Sequence, residues 1–260
     1  MEYYGKTDKG MRRTINEDSF ANLSIWGKRG TLLVVCDGMG GHNAGEVASA
    51  KAVEAFCDRL ASSPCLSENP KDKQFEIKKI MTEGIKDANK RILNLARAYD
   101  NLNGMGTTIV AGLIYENILY CTNIGDSRLY IISGEIVKQV SHDHSFVQQL
   151  LDHKKITTEE AKNFPHKNII TKALGQGEQE EIAIMIAELA TFGSGYILLC
   201  TDGLTNYLED KDFRKIFAEA KKIGPGESGK DDLVYAVDTL IGSANSGGGA
   251  DNITALVARF

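Results

Sequence analysis

Two short apolar runs, far apart in the chain, end alike. Residues 31–36 read Thr-Leu-Leu-Val-Val-Cys and lead into Asp37-Gly38; residues 196–200 read Tyr-Ile-Leu-Leu-Cys and lead through Thr201 into Asp202-Gly203. Runs of this length and composition are buried strands. A buried strand that delivers a carboxylate at its end, beside a glycine that lets the backbone turn sharply, is a common route to a metal site. Meeting it twice predicts two strands that feed acids into one place.

The rest of the pattern fills in around those strands. Alternation and β-branched content predict further strands near 19–25, 107–115, 118–123, 128–132, 136–140 and 253–258, and extend the second apolar run to 201. Turn residues at 115–118 and 133–135 make the middle of the chain an antiparallel meander. One long amphipathic helix is predicted at 44–61, with Val47, Ala48, Ala52, Ala55, Phe56 and Leu60 on its stripe. A second, at 73–99, carries Ile77, Ile80, Met81, Ile85, Ala88, Ile92 and Leu95 in the same way, after a polar connection at 64–72. Shorter helices are expected near 143–152, 210–220 and 231–244. Strand blocks separated by helix pairs predict an α+β fold in which helices cover packed sheets, as one domain over 1–260, with surface loops at 224–229 and 242–249.

Bulk properties narrow the function. With 30 basic and 35 acidic residues the formal net charge is −5, so nucleic acid is not the expected partner. No run approaches the length needed to cross a bilayer, and the first residues lack the apolar core of a secretion signal. The expected compartment is the cytoplasm. The five cysteines (Cys36, Cys57, Cys65, Cys121, Cys200) are odd in number, and three lie in apolar strands, where cysteine acts as a small hydrophobe. A thiol-based phosphate loop needs a tighter interval than the six residues between Cys121 and Arg128, so a cysteine nucleophile is rejected.

The carboxylates carry the chemistry. Asn16-Glu17-Asp18 precedes a strand, Asp37 and Asp202 close two others, and Asp251-Asn252 opens the last; Gly125-Asp126 sits in the meander. Each taken singly is ordinary turn or cap chemistry. Together, acids at one rim repel each other unless cations neutralise them. Oxygen ligands alone select a hard ion, Mg²⁺ or Mn²⁺ rather than Zn²⁺. Two such ions about 3.5–4 Å apart can share and activate a water.

The ordered motifs Arg13-x-x-Asn16-Glu17-Asp18, Asp37-Gly-Met-Gly-Gly-His42, Gly106-Thr107-Thr108, Gly125-Asp126-Ser-Arg, Asp143-His-Ser, Thr-Asp202-Gly-Leu and Asp251-Asn-Ile-Thr resemble the type-2C metal-dependent protein serine/threonine phosphatases, in particular their compact bacterial branch. The resemblance runs from about residue 5 to the C-terminus. It implies a four-layer α-β-β-α sandwich with two Mn²⁺ or Mg²⁺ ions at one end, and possible room for a third, weaker ion. On that pattern Asp37 bridges both ions, Asp18 and the Gly38 carbonyl serve one, and Asp202 and Asp251 serve the other. Asp126 matches the third-ion position, which Asp143 could also reach, and Glu17 would order metal-bound water. The implied reaction is direct attack of a bridging hydroxide on a phosphoserine or phosphothreonine ester, with Arg13 clamping the phosphate through its planar fork. Phosphorylated proteins are the implied substrates, a cognate serine/threonine kinase the implied opponent, and a monomer the expected state.

Departures and rivals complete the reading. Met39 stands where some relatives have a histidine, which leaves metal-bound water as the preferred proton donor over His42. His142-Asp143-His144 lacks a third soft ligand nearby and reads as a turn that opens a helix. A basic stretch at 146–172, with His153, Lys154, Lys155, Lys162, His166 and Lys167, corresponds to a flap beside the cleft in relatives, which often have glycine where this chain has Lys154. A dehalogenase-type phosphatase would need its aspartate nucleophile where Val35 stands. A catalytically silent phosphoprotein-binding relative should have lost a core acid, yet Asp18, Asp37, Asp202 and Asp251 are all present.

Overall fold

The structure is a computed structural model and describes residues 1–40, 44–62, 67–162, 164–165, 168–177, 179 and 181–260, with Lys162 described by its backbone only. His42, Cys65, His166 and Lys167, and the Lys162 side chain, therefore lie outside the described residues.

Two sheets form the middle of the molecule. One has the order β1 (Glu2–Asp8), β11 (Ile253–Arg259), β10 (Tyr196–Cys200), β7 (Arg128–Ser133) and β8 (Ile136–Gln139). The other runs β2 (Asp18–Ile25), β3 (Gly30–Met39), β5 (Ile109–Tyr115), β6 (Ile118–Ile124) and β9 (Met185–Glu188), with the short β4 (Gly106–Thr107) also on β3. Every paired ladder is antiparallel. Outside the six-stranded sheet lie α1 (Gly45–Ala61) and α2 (Pro70–Ala98), whose apolar stripes meet its outer face through Phe56, Leu60, Ile77, Met81, Ile85 and Ile92. Outside the other sheet lie α6 (Asp210–Ile223) and α7 (Asp231–Ser246), packed through Phe213, Phe217, Leu233, Val237 and Leu240. A third apolar cluster fills the seam between the sheets. The predicted four layers are the observed ones. No helix of the described residues is long and apolar enough to cross a membrane.

Local differences have local causes. α2 begins at Pro70, earlier than expected, because Pro70 takes the first helical turn and Asn69 caps it by accepting from the Lys71 amide. The strand predicted at 107–115 is split at Thr108, whose hydroxyl, rather than a backbone carbonyl, takes the Asp37 amide proton at 2.9 Å. Edge strands β1 and β9 were not predicted; both are largely half-exposed and show no clean apolar alternation.

α3 (Phe146–Asp152) starts at Ser145, whose hydroxyl accepts from the Gln148 amide, so the His142–His144 segment opens a helix as expected. Lys154 adopts φ +53°, a left-handed conformation that glycine takes up most readily. α3 and α4 (Thr158–Lys162) stand on a base closed by Phe146 N–H to Ile169 O and Thr171 N–H to His144 O.

Candidate metal centre

Side chains alternate along a strand, and the seam-facing rows of both sheets can be followed outward. In β3, Leu33 and Val35 lead to Asp37; in β10, Ile197 and Leu199 lead to Thr201; in β11, Ala258 and Leu256 lead to Thr254. Likewise Val110 of β5 leads back to Thr108, Leu129 of β7 to Ser127, and Phe20 of β2 to Asp18. At one end, therefore, the apolar seam gives way to a buried polar layer. Asp18 and Asp37 are direct cross-strand partners in that layer, so their carboxylates share one face.

The layer is wired by hydroxyls. Asp18 Oδ2 accepts from Thr201 Oγ at 2.9 Å and Thr254 Oγ at 2.6 Å. The Thr107 hydroxyl and the Thr108 amide both donate to the Asp37 carbonyl, at 2.8 and 2.9 Å, while Thr108 and Ser127 hydroxyls meet at 2.7 Å. The sequence motifs contain these threonines and Ser127 but give them no role; the structure shows them as hydrogen-bond partners of the acids and of one another. Their signal was present, since each continues an apolar row with a hydroxyl.

Around this floor stand the other acids. Asp202 opens a helical turn, α5 (Asp202–Thr205), and accepts from Asn206 Nδ2 at 3.2 Å through Oδ2. Asp251 is half-buried and receives Arg13 Nη2 at 2.9 Å; Arg13 Nη1 lies 3.5 Å from Glu17 Oε2. Glu17 in turn takes the Gly45 amide at the start of α1, where the helix end favours negative charge. Arg13 thus lies across the mouth with about half its side chain (47%) exposed.

The electrostatics register the crowding. Burial, reinforced by Asp18, Asp202, Asp126 and Asp251, pushes the Asp37 carboxyl well up from its ordinary range, and Asp202 lies within hydrogen-bonding reach of it. Burial likewise raises Asp18 and Asp126, each to about 7. Asp18 Oδ1 and Asp202 Oδ1 are buried and have no hydrogen-bond partner. Unpaired carboxylate oxygens in such a place are costly unless protons or cations take up their charge. Among the described residues no three acids close into a ready-made ligand cage. The donor set nevertheless fits hard divalent cations, because it offers two orphaned oxygens amid mutually repelling acids.

The structure brings Arg13, Glu17, Asp18, Asp37, Gly38, Asp126, Asp202 and Asp251 to this end, and corrects three local readings. Neither Gly38 nor Gly203 is required by its backbone angles: neither has a positive φ, Gly38 lies within β3 and Gly203 within α5. Their need is room. A methyl group on Gly38 would sit 2.2 Å from the Gly45 carbonyl oxygen, and one on Gly203 would sit 1.9 Å from that of Asn252. Asp143 is not available for a third ion, since Arg128 grips both its oxygens at 2.6–3.1 Å and Gln139 adds a bond of 2.7 Å. His144 is held neutral, its pKa lowered to about 4 by burial, and its Nδ1 accepts from the Gly125 amide.

Comparison with known proteins agrees with this geometry. A family model described as protein phosphatase 2C matches residues 11–237. The serine/threonine phosphatase Stp of Listeria innocua is 36% identical over 254 residues, covering 98% of this chain and 94% of its own length. The crystal structure of the serine/threonine phosphatase Stp1 from Staphylococcus aureus superposes with a TM-score of 0.86 at 32% identity, over 100% of this chain and 94% of that one. The catalytic domain of the serine/threonine protein phosphatase PstP, solved with two manganese ions, gives 0.79 at 30% identity over 98% and 96%. Agreement of this length, in sequence and in fold, makes the chain a member of the protein phosphatase 2C family, a metal-dependent serine/threonine protein phosphatase of the bacterial kind.

Proposed function

We propose that the polar end of the seam hydrolyses phosphoserine and phosphothreonine esters of proteins with two Mn²⁺ or Mg²⁺ ions, in the cytoplasm, as a monomer that opposes a serine/threonine kinase. The observation that carries this reading is the pair of buried, partnerless oxygens on Asp18 and Asp202 beside the Asp37 carboxyl. Asp37 would face both ions, with Asp18 and the Gly38 carbonyl on one side and Asp202 and Asp251 on the other. Asp126 would take a third, weaker one. Bound there, the cations supply an activated water at neutral pH and neutralise phosphoryl charge.

The chain's own residues do the rest. Arg13 is oriented by Asp251 and Glu17, and its exposed edge is free to hold two phosphate oxygens of the ester. Glu17, fixed by the Gly45 amide, presents an acceptor that orients water next to Asp37. Thr201 and Thr254 saturate Asp18 Oδ2, leaving Oδ1 as the oxygen that faces a cation or its water. Met39 has no proton to give, so protonation of the departing serine or threonine oxygen falls to water. The segment 146–172 would serve as a flap over substrate, its basic groups facing phosphorylated chain. Buried, unpaired Cys36, Cys57, Cys121 and Cys200 suit a reducing compartment.

The test is hydrolysis of a phosphothreonine and a phosphotyrosine peptide, each with Mn²⁺ and with a chelator. Turnover of the first only, and only with metal, is expected. Turnover that survives exhaustive demetallation would overturn the site, and none with metal would favour a silent phosphoprotein-binding relative.

A further inference from the structure

Residues 9–17 carry Arg13 on a loop that has little of its own to hold it still. The loop contains no helix or strand, and Met11, Arg12, Arg13, Thr14 and Ile15 are all exposed, so apolar burial does not fix its course. A phosphate clamp tolerates little of this freedom, because a displacement of about 1 Å is enough to spoil the positioning of a substrate.

One side chain anchors the loop on both sides of Arg13. Asn252, only 3% exposed, stands between Asp251 and the start of β11. Its Nδ2 donates to the Lys9 carbonyl at 3.0 Å and to the Ile15 carbonyl at 2.9 Å, and its Oδ1 accepts from the Glu17 amide at 2.9 Å. A backbone amide only donates and a carbonyl only accepts, so the carboxamide has one orientation here. An ionised aspartate of the same shape would set a third acceptor against the two carbonyls. One more bond, Met11 N–H to Gly249 O at 2.7 Å, ties the loop to the segment before Asp251. Arg13 Nη2 itself meets Asp251 at 2.9 Å. Consecutive residues thus divide the work: Asp251 holds the guanidinium, and Asn252 holds the backbone from which it hangs.

We propose that Asn252 is the positioning residue of the phosphate clamp, fixing the 9–17 loop so that Arg13 stays in register with the acids of the centre; the proposal rests on the phosphatase reading above. Among the described residues its carboxamide bonds to loop backbone alone and to no carboxylate. Its influence on phosphate binding therefore runs through Arg13 rather than through the cations.

The experiment is a double-mutant cycle on the phosphothreonine peptide with Mn²⁺, using wild type, Asn252→Ala, Arg13→Ala and the double variant. Asn252→Ala should raise KM about fivefold in the wild-type background, and by less than about twofold where Arg13 is already absent, because a misplaced clamp and a missing one lose the same contact. An asparagine that only supported the fold would cost the same factor in both. Mn²⁺ affinity, read by calorimetric titration of the metal-free proteins, should stay close to the wild-type value. Hydrogen exchange of metal-free Asn252→Ala should quicken at the Met11 amide while the Leu198 amide in β10 keeps its protection. Asn252→Ser, which retains one donor, enters the same cycle if the alanine chain does not fold. An unchanged KM in a folded variant, an equal rise in both backgrounds, or a large loss of Mn²⁺ affinity would overturn the proposal. Absence of turnover by the wild type would instead sink the catalytic reading beneath it.

Discussion

The seam between the sheets has two ends built on the same backbone and filled by opposite rules. Through most of its length, Leu33, Val35, Ile131, Ile197, Leu199 and Leu256 interdigitate with no exposure to water. At the other end the same rows continue as Thr201, Thr254, Thr108 and Ser127, equally dry but polar, together with Asp18 and the half-buried Asp37. The first region converts burial into stability. The second gives stability up, since it gathers charges that repel, and gains a place for cations.

The difference can be broken from either side. Asp37→Asn should lower turnover roughly a thousandfold or more, while leaving the metal-free protein at least as heat-stable as the wild type, because one buried acid has been removed from the cluster. Retained turnover, measured with the phosphothreonine peptide, would refute its place at the centre. Leu199→Ala should do the reverse, costing about 2–5 kcal/mol in denaturant melts with turnover per folded molecule preserved.

Cations should stabilise in a pH-dependent way. The folded Asp18 and Asp126 carboxyls are raised to about 7 from an ordinary 3.8, so the metal-free fold holds protons that the unfolded chain releases. Its stability falls as pH rises from roughly 4 towards 7. Saturating Mn²⁺ should therefore raise Tm by about 5–10 °C at pH 8 and by clearly less at pH 5.5, as calorimetry would show.

Smaller effects sharpen the boundary between the two ends. Thr254→Val removes a donor to Asp18 without changing shape and should cost about 1–3 kcal/mol, against nearly nothing for a surface threonine. Arg13→Ala should raise KM for the phosphopeptide about tenfold with a lesser fall in kcat, if the guanidinium holds ground and transition states alike. Steady-state kinetics separates that from a change in kcat alone.

Much of this was legible in sequence where the physics is local. Apolar alternation located β3, β5, β6, β7, β10 and β11, and the stripes located α1 and α2, because burial on one face leaves a period in the chain. The acids were visible as residues, and the resemblance put them in order. What sequence hid was non-local. Gly38 and Gly203 look like turn glycines, yet what demands them is the backbone of residues far along the chain. Asp143 looks like a spare ligand until Arg128 folds onto it. Asn89 is one more polar residue on a helix until two loop amides converge on its side chain. Edge strands such as β9 carry too little apolar alternation to announce themselves.

The acids come from both halves of the sandwich: Asp18 and Asp37 from the six-stranded sheet, Asp202 and Asp251 from the ends of β10 and β11 in the other. Neither half holds all four acids, so divalent ions bound among them would act as a clasp holding two plates together. On that reading, breathing that parts the plates by a small distance would dissolve the catalyst before a single strand has melted.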